Sequence, residues 1–554
     1  MITKVVLKNY KKFGEVTFDV GQNIVLAGPN NTGKTTLLQA IATWNFGLQK
    51  WVEQRFTTKS RAKIRTGVPI VRKDFTPVPV RDMNLLWENR QVALGKPDPG
   101  KPRPIEITIH WKSQDTEWNI GLTFTYGNPE MVYVKPSQGK ENEVIRILDQ
   151  EKNLRIIHIP PFSGIEVDET RYDIGFQNRL VGLERPGEIL RNLLLDIATK
   201  HESQWEILSD QIKEIFGVEI QKPQYSEGDP FIVCEYRPRS GGRSLDVASA
   251  GSGFLQVLML LAFFYARPAA VLLLDEPDAH SHIILQRQVY DLLKKVASEK
   301  SSQLILATHS EVLLDATDPG QVISFVSAKP RILIDKTERD RVREAIRRLT
   351  TIDFLLAQEI GAILYLEGES DEAILREWAR ILEHPARRFL EKPYVHHLGG
   401  SHLKDAKDHF FALRAVDSQI RGLCILDGDN REKPDSEMAR AGFRVIRWKR
   451  YEIENYLLQP NAIKRFVKFP LFEETIEREF WKQVPNGTDL FSDHVSLARL
   501  KASDEFFIPL LTSVNKPTFK KDLYLIAAQM DRGEIHPEII EKLDAIYHML
   551  LKNK

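Results

Sequence analysis

Three short apolar runs open the chain. Residues 5–7, 16–20 and 24–27 are rich in β-branched and aromatic side chains and are separated by polar or glycine-bearing turns, so each is expected to be a strand. The third run enters a glycine-rich loop, and apolar positions then take helical spacing from Gly33 toward Phe46. Strand, loop and helix in that order predict the opening of an α/β nucleotide-binding fold. Prolines are dense over residues 69–104, and strand-like runs follow at 105–111 and 118–126, which suggests an antiparallel insertion beside the main sheet. Helical patterns come next, at 187–199 and 205–216. A second α/β stretch has buried-strand runs at 271–274 and 304–307, with a helix of about 283–297 between them. The nucleotide fold is therefore read as split around an insertion of roughly residues 50–250.

Near residue 350 the pattern changes. A helical connector leads to a strand at 363–366, a helix at 371–382, a strand at 394–398, a helix at 403–416 and a strand at 422–426, which make a second βαβ unit with its own sheet. From residue 452 onward the chain reads as mainly helical, with a polar end. The expected division is 1–350, 351–450 and 451–554. No internal repeat or low-complexity block interrupts it.

Composition narrows the class. The chain has 554 residues, 42% hydrophobic and 28% charged, as in a multidomain globular protein. No apolar run approaches the roughly 20 residues of a membrane span, and the strand at the very start leaves no room for a signal peptide, so a cytoplasmic location without membrane contact is expected. Cys234 and Cys424 are too far apart in sequence to suggest a disulfide framework or zinc spacing, and are read as reduced core thiols. A net charge of +1 leaves any attraction to nucleic acid to local patches. One such patch contains Lys50, Arg55, Lys59, Arg61, Lys63, Arg65, Arg72, Lys73 and Arg81, with Trp51 and Phe56 among them. It reads equally as a nucleic-acid contact or as a solvated insertion.

Two sets of residues carry candidate chemistry. Gly28-Pro-Asn30-Asn31-Thr-Gly33-Lys34-Thr35-Thr36 fits G-x-x-x-x-G-K-[ST] between a strand and a helix: glycines allow backbone N–H groups to wrap phosphates, Lys34 adds charge, and Thr35 can hold Mg²⁺. The strand at 271–274 ends in Asp275-Glu276, where Asp275 is expected to serve Mg²⁺ and Glu276 to orient or deprotonate the attacking water. Ser249-Ala-Gly251-Ser-Gly253 opens a helix before that strand, in the place of the signature loop of ABC ATPases, although it departs from LSGGQ. Asp278-Ala-His280 follows as a D-loop would, and His309 follows the next strand as a switch histidine would. His280 and His282 as metal ligands lack a nearby third ligand.

The second set is acidic. Glu367-Gly-Glu-Ser-Asp371 ends one buried strand and Asp427-Gly-Asp429 ends another. Carboxylates at the ends of neighbouring parallel strands share one crevice. Such a cluster repels itself without cations and offers the oxygen ligands preferred by Mg²⁺ or Mn²⁺. Two ions there could activate water and stabilise the leaving oxygen of a phosphodiester. His396, His397 and His402 flank the Gly399-Gly400 turn, with Ser401 a candidate N-cap, and are read as structural in preference to catalytic.

The ATPase motifs resemble the AAA_15/AAA_21 type of ABC ATPase found in the OLD family, and Glu367 with Asp427-x-Asp429 resembles a Toprim domain over residues 363–448. The resemblance implies an α/β fold: an ABC-type P-loop head with an antiparallel and helical insertion, a Toprim α/β domain, and a helical C-terminal part completing a nuclease. It implies ATP with Mg²⁺ at the head, and Glu367, Asp371, Asp427 and Asp429 as metal ligands. Glu452 and Glu454 resemble the additional acidic motif of OLD-family nucleases, which makes them further metal ligands, with Glu454 at the second metal, and Lys520 or Lys521 is the candidate for the later catalytic lysine. Topoisomerases and DnaG-type primases also use Toprim, but a strand-passage domain or a cysteine-rich zinc module does not fit this chain. The expected function is an ATP-hydrolysing, metal-dependent endonuclease acting in defence against phages, as the related Gabija and PARIS systems do. Its partners would be nucleic acid, DNA ahead of tRNA, a second copy of itself in at least a dimer, and a phage-encoded trigger or separate defence protein. Two alternatives stand beside it: a PARIS-like tRNA nuclease, and a non-catalytic clamp that uses ATP to close on nucleic acid or sequester a partner.

Overall fold

The computed structural model describes the chain apart from residues 58–66, 96–98, 114–115, 138–139, 151–153, 227, 239–241, 280–281, 328, 400–402, 429–441, 493 and 552–554. It divides into two units, Met1–Arg347 and Arg348–Lys554.

The first unit holds two six-stranded sheets. One runs Arg331–Ile332, Val322–Ser324, Asn23–Ala27, Gln303–Thr308, Val271–Asp275, Ile156–Ile159 from edge to edge, and all neighbours are parallel except the first pair. Every residue of Val271–Asp275 and of Gln303–Thr308 is buried, the signature of strands covered on both faces. The other sheet is antiparallel, in the order Phe13–Asp19, Ile2–Tyr10, Ile105–Lys112, Glu117–Asn128, Met131–Pro136, Val68–Val71. Here burial alternates; in Ile105–Lys112 every odd position faces the core. The first two strands of the chain thus pair with the insertion and lie outside the nucleotide sheet, as their half-buried alternation permits. Ile156–Ile159 and Val322–Ser324, with four and three residues, are too short to stand out in the sequence pattern.

The helix after the phosphate loop, Lys34–Thr57, is longer than its apolar pattern suggests. As far as Leu48 it packs between both sheets: the Trp44 indole donates to the Ile120 carbonyl of the antiparallel sheet at 2.9 Å, and Asn45 Nδ2 donates to Ile156 O of the parallel one at 3.2 Å. Gly47 sets the closeness of that packing, because a Cβ there would lie 2.7 Å from Phe124 Cζ. Helix Ser252–Ala266 is buried almost all round, but at 15 residues it is a core helix. Among the described residues no helix is long and apolar enough to cross a membrane.

The second unit is built on a parallel sheet ordered Val395–His397, Ala362–Leu366, Arg421–Leu426, Phe443–Arg447. Helix Glu369–Ile381 and the short helical segments after residue 450 share one apolar core with it, running from Ala362 and Leu364 to Leu543 and Leu550. Within that core Trp378 Nε1 lies 3.3 Å from Met530 Sδ. Cys234 and Cys424 are both free and buried, each in a different unit.

Candidate functional site

The phosphate loop leaves its strand at Ala27 and reaches the helix through two positions in the left-handed region, Asn31 (φ 63°) and Gly33 (φ 111°). At Gly33 a Cβ would also meet Phe13 Cζ at 2.7 Å, so glycine is required on two counts. Lys34 folds back to donate to the carbonyls of Gly28 and Pro29, both at 2.7 Å. Burial draws its ammonium down to about 8, even though Glu276 and Asp275 pull the other way. Thr35 Oγ1 donates to Asp275 Oδ1 at 3.1 Å, so the hydroxyl and carboxylate that would hold Mg²⁺ already face each other. Burial lifts Asp275 to about 6, a charge cost a cation beside it would relieve.

Glu276 follows with φ 49°, strained for a side chain of its size, and its backbone N–H is tied to Ala307 O at 2.9 Å. That turn brings its carboxylate within 3.5 Å of His309 Nδ1 at the end of the neighbouring strand. The contact lowers the Glu276 carboxyl and raises the His309 imidazole. Asp278 is buried beside Thr308. His280 lies outside the described residues, while His282 stands at the N-cap position of helix Ile283–Glu299 without a side-chain capping hydrogen bond.

Ser249, Gly251 and Ser252 are exposed at the start of the buried helix Ser252–Ala266, with Gly253 half-buried behind them. Their anchor was not legible in the sequence. Arg191, 1% exposed, grips Asp246 with both terminal nitrogens at 2.8 and 2.9 Å. Asp246 in turn caps the turn that carries Ser249, accepting from Ala248 N at 2.7 Å. Glu169 fixes this arginine's helix by accepting from the backbone N–H groups of Arg191 and Asn192. The Glu169–Arg191 and Arg191–Asp246 contacts span 22 and 55 positions, so no local pattern announces them.

In the second unit the strand-end acids converge. Asp427 N donates to Glu367 Oε1 at 2.8 Å, and Ile453 N donates to Asp427 Oδ1 at 3.1 Å, which brings the 452–454 segment against the Asp427 loop. Asp371 is buried at the start of its helix, accepting from Gly368 N and the Ser370 hydroxyl. Glu454 is fully buried, and neither of its carboxylate oxygens has a hydrogen-bond partner. Lys520 reaches into the group, 3.4 Å from Glu454 Oε1 and 3.0 Å from Glu452 Oε2. Burial, with Asp371, Glu367 and Glu454 close by, pushes Asp427 up to about 9; burial pushes Glu454 up to about 8. Burial works against the Lys520 charge, but Glu454 and Glu452 outweigh it and hold the ammonium well above its usual range.

The sequence-predicted acids do not all play one part. Glu367, Asp371, Asp427 and Glu454 form a like-charged group with orphaned buried oxygens, a donor set that fits divalent cations such as Mg²⁺ or Mn²⁺. Glu452 instead accepts from Ser503 N, the Ser503 hydroxyl and Lys520, which ties the C-terminal segments to the sheet. Lys521 is exposed, next to the inward-reaching Lys520. Asp429, Gly400, Ser401 and His402 lie outside the described residues, as do Lys59, Arg61, Lys63 and Arg65 of the basic patch. At the patch's edges, Arg72 pairs with Glu130 at 2.8 Å and Lys50 with Glu53 at 2.9 Å. His397 pairs with Glu372 at 3.1 Å.

Comparison with known proteins agrees with the head's motif order. The AAA_21 model, an AAA domain, matches residues 102–315, and AAA_27, also an AAA domain, matches residues 1–78. The chain is similar to the OLD nuclease of Thermus scotoductus, at 20% identity over 402 residues, covering 63% of this chain and 67% of that one. Among solved structures it is similar to the Smc head domain from Pyrococcus furiosus (18% identity, 62% of this chain and 99% of that chain, TM-score 0.35). The SMC head domain from Thermotoga maritima also matches (14% identity, 60% and 98%, TM-score 0.33). The domain matches over the phosphate loop and the acid pair, together with the similarity to the OLD nuclease, agree with the family resemblance: this chain carries a P-loop ATPase domain and is similar to an OLD nuclease.

Proposed function

We propose that the chain is an ATP-hydrolysing, metal-dependent endonuclease of the OLD type, whose second unit is a Toprim nuclease acting on DNA. The observation that carries this reading is Glu454, a buried carboxylate without hydrogen-bond partners, set among Glu367, Asp371, Asp427 and Lys520. A scaffold has no use for such a group, since buried carboxylates facing one another cost stability unless cations balance them, and the single ammonium of Lys520 does not balance four. Glu367, Asp371, Asp427 and Glu454 would hold Mg²⁺ or Mn²⁺. Such ions supply an activated water and charge compensation at the leaving oxygen of a phosphodiester. Lys520, held protonated by its glutamates, acts as a fixed positive charge toward a phosphate oxygen and not as a base.

In the head, Lys34 and the loop amides bind the phosphates, Thr35 and Asp275 hold Mg²⁺, and Glu276, oriented by His309, takes the proton of the attacking water. The exposed Ser249-to-Gly253 loop completes the site of a second copy, so that ATP drives dimerisation and gates the nuclease. Defence against phages is the biological setting the family supplies.

The test is to incubate the purified chain with plasmid DNA or tRNA, Mg²⁺ or Mn²⁺, with and without ATP, beside Asp427→Ala. Metal-dependent DNA cleavage lost in Asp427→Ala is the expected result. Cleavage of tRNA alone would move the substrate to RNA. No cleavage of either under any nucleotide state, or normal cleavage by Asp427→Ala, would leave the clamp as the function.

A further inference from the structure

A second cluster of metal-ligating side chains lies in the second unit and takes no part in the chemistry above. Asp353 on helix Thr351–Ile360, His396 on strand Val395–His397 and His409 on helix Leu403–Val416 each present a ligand atom, and these atoms lie within 4.8 Å of one another. Two of the three are deeply buried: His409 is 6% exposed and Asp353 9%. The imidazoles lie face to face, with centroids 4.2 Å apart and 24° between planes, so one ring turns about its Cβ–Cγ bond to bring both lone pairs onto one ion.

The decisive atom is His409 Nε2. It is buried and has no hydrogen-bond partner, and it stands 3.7 Å from Asp353 Oδ2. That is too long for a hydrogen bond. Two ligands at about 2.0 to 2.2 Å from one tetrahedral Zn²⁺ lie about 3.4 Å apart, so the gap suits two atoms bound to the same ion. The surroundings set the ligands in the required form. Tyr365 Oη is 2.9 Å from His409 Nδ1; when it accepts the Nδ1 proton, Nε2 keeps its lone pair toward Asp353. Asp353 is oriented by Tyr394 Oη, which donates to Oδ1 at 2.7 Å, and by Thr350, which donates to Oδ2 from its backbone N–H at 2.7 Å and its hydroxyl at 2.8 Å. Orienting contacts on both a histidine and a carboxylate are what metal sites carry around their ligands.

We propose that Asp353, His396 and His409 bind a divalent transition-metal ion, Zn²⁺ being the best match for two imidazoles and one carboxylate, with a fourth position left to water. This site is separate from the all-oxygen acid cluster in ligand chemistry. It joins the first long helix of the unit to the edge strand of its sheet and to a third element, so the ion acts as a clasp on the segment that follows the division at Arg347.

Tag-free full-length protein, stripped with chelator, is titrated with Co²⁺ and then Zn²⁺. The wild type should develop the intense visible absorption of four-coordinate Co²⁺ at one equivalent, and Zn²⁺ should bleach it. Asp427→Ala should behave the same way. His396→Ala, at the most exposed of the three ligands, should lose the band and bind Zn²⁺ at least tenfold more weakly in competition with a chromophoric chelator. His396→Gln serves if alanine alters the unfolding transition in chelator. A wild type without that band, or a His396 variant that keeps both band and affinity, would overturn the site.

Discussion

Gly428 offers a steric test of the acidic site. A Cβ added there would lie 2.2 Å from Arg450 O and 2.6 Å from Trp448 O, and both obstacles are backbone. Its own N–H is shared between Arg450 O at 3.2 Å and Tyr451 O at 3.1 Å, so the loop and the 448–451 segment are pressed together over polar groups. An ordinary carbon–oxygen contact needs about 1 Å more than the Arg450 gap provides. In Gly428→Ala either the Asp427 loop or the segment leading to Glu452 and Glu454 must therefore retreat by that much. Overpacking of this kind costs about 1 to 3 kcal/mol, and loosening the shared N–H contact adds about 1. At about 2 to 4 °C per kcal/mol, the melting transition of the second unit should fall by roughly 5 to 15 °C. Displacing reacting groups by about 1 Å should slow cleavage on the order of 100-fold, while ATP binding by the first unit stays at wild type. Calorimetry and a plasmid-nicking time course read both effects. A variant that melts and cuts like wild type would show that Asp427 and the 452–454 segment do not form one site.

Two further predictions concern the head. Lys34→Ala should lose ATP binding, whereas Glu276→Gln should bind ATP with turnover reduced on the order of 100-fold or more, read by a filter-binding and phosphate-release pair; wild-type turnover in Glu276→Gln would remove Glu276 as the base. Arg191→Met should free Asp246 and the Ser249 turn, lowering ATPase activity at high protein concentration while leaving ATP affinity unchanged, and an unchanged rate would mean the anchor does not serve hydrolysis.

What the sequence disclosed and withheld follows from the range of each interaction. The phosphate loop, the Asp275-Glu276 pair and the strands beneath them are local: glycine positions, an all-apolar strand and a helix start fall within a few residues. The acids at Glu367 and Asp427 were legible for the same reason, each sitting where a buried strand ends. The long-range partners were not. Ser503 bonding Glu452 across 51 positions, Arg191 holding Asp246 across 55, and His409 facing Asp353 are set by packing, which leaves no periodic trace. Lys520 was one of two adjacent candidates; only the turn of the segment Lys520–Asp522 sends it inward and leaves Lys521 exposed. The two opening strands read as part of the nucleotide fold because spacing alone does not say which sheet a strand joins.

Glu454 shows what such a site costs the fold that carries it. Its carboxylate is fully buried and accepts no hydrogen bond, and burial raises it from an ordinary 4.5 to about 8 even with the Lys520 ammonium 3.4 Å away. A carboxyl whose folded-state value lies above its unfolded one binds more protons when folded, so its contribution to stability is greatest below pH 4.5 and is lost as pH rises toward 8. At about 1.4 kcal/mol per pH unit, that loss is on the order of 3 to 5 kcal/mol in the absence of a divalent cation. Glu454→Gln removes the titration and keeps the shape, and Lys520 retains its 3.0 Å contact with Glu452. In chelator, urea unfolding of the wild type should therefore weaken from pH 5 to pH 8 more steeply than that of the variant, so that the variant is the more stable protein at pH 8. Mg²⁺ should recover much of the difference for the wild type and little for the variant, which should also fail to cut. Parallel pH profiles for the two proteins would mean that Glu454 is not held as a strained, charged ligand, and the acid cluster would lose its claim to a metal.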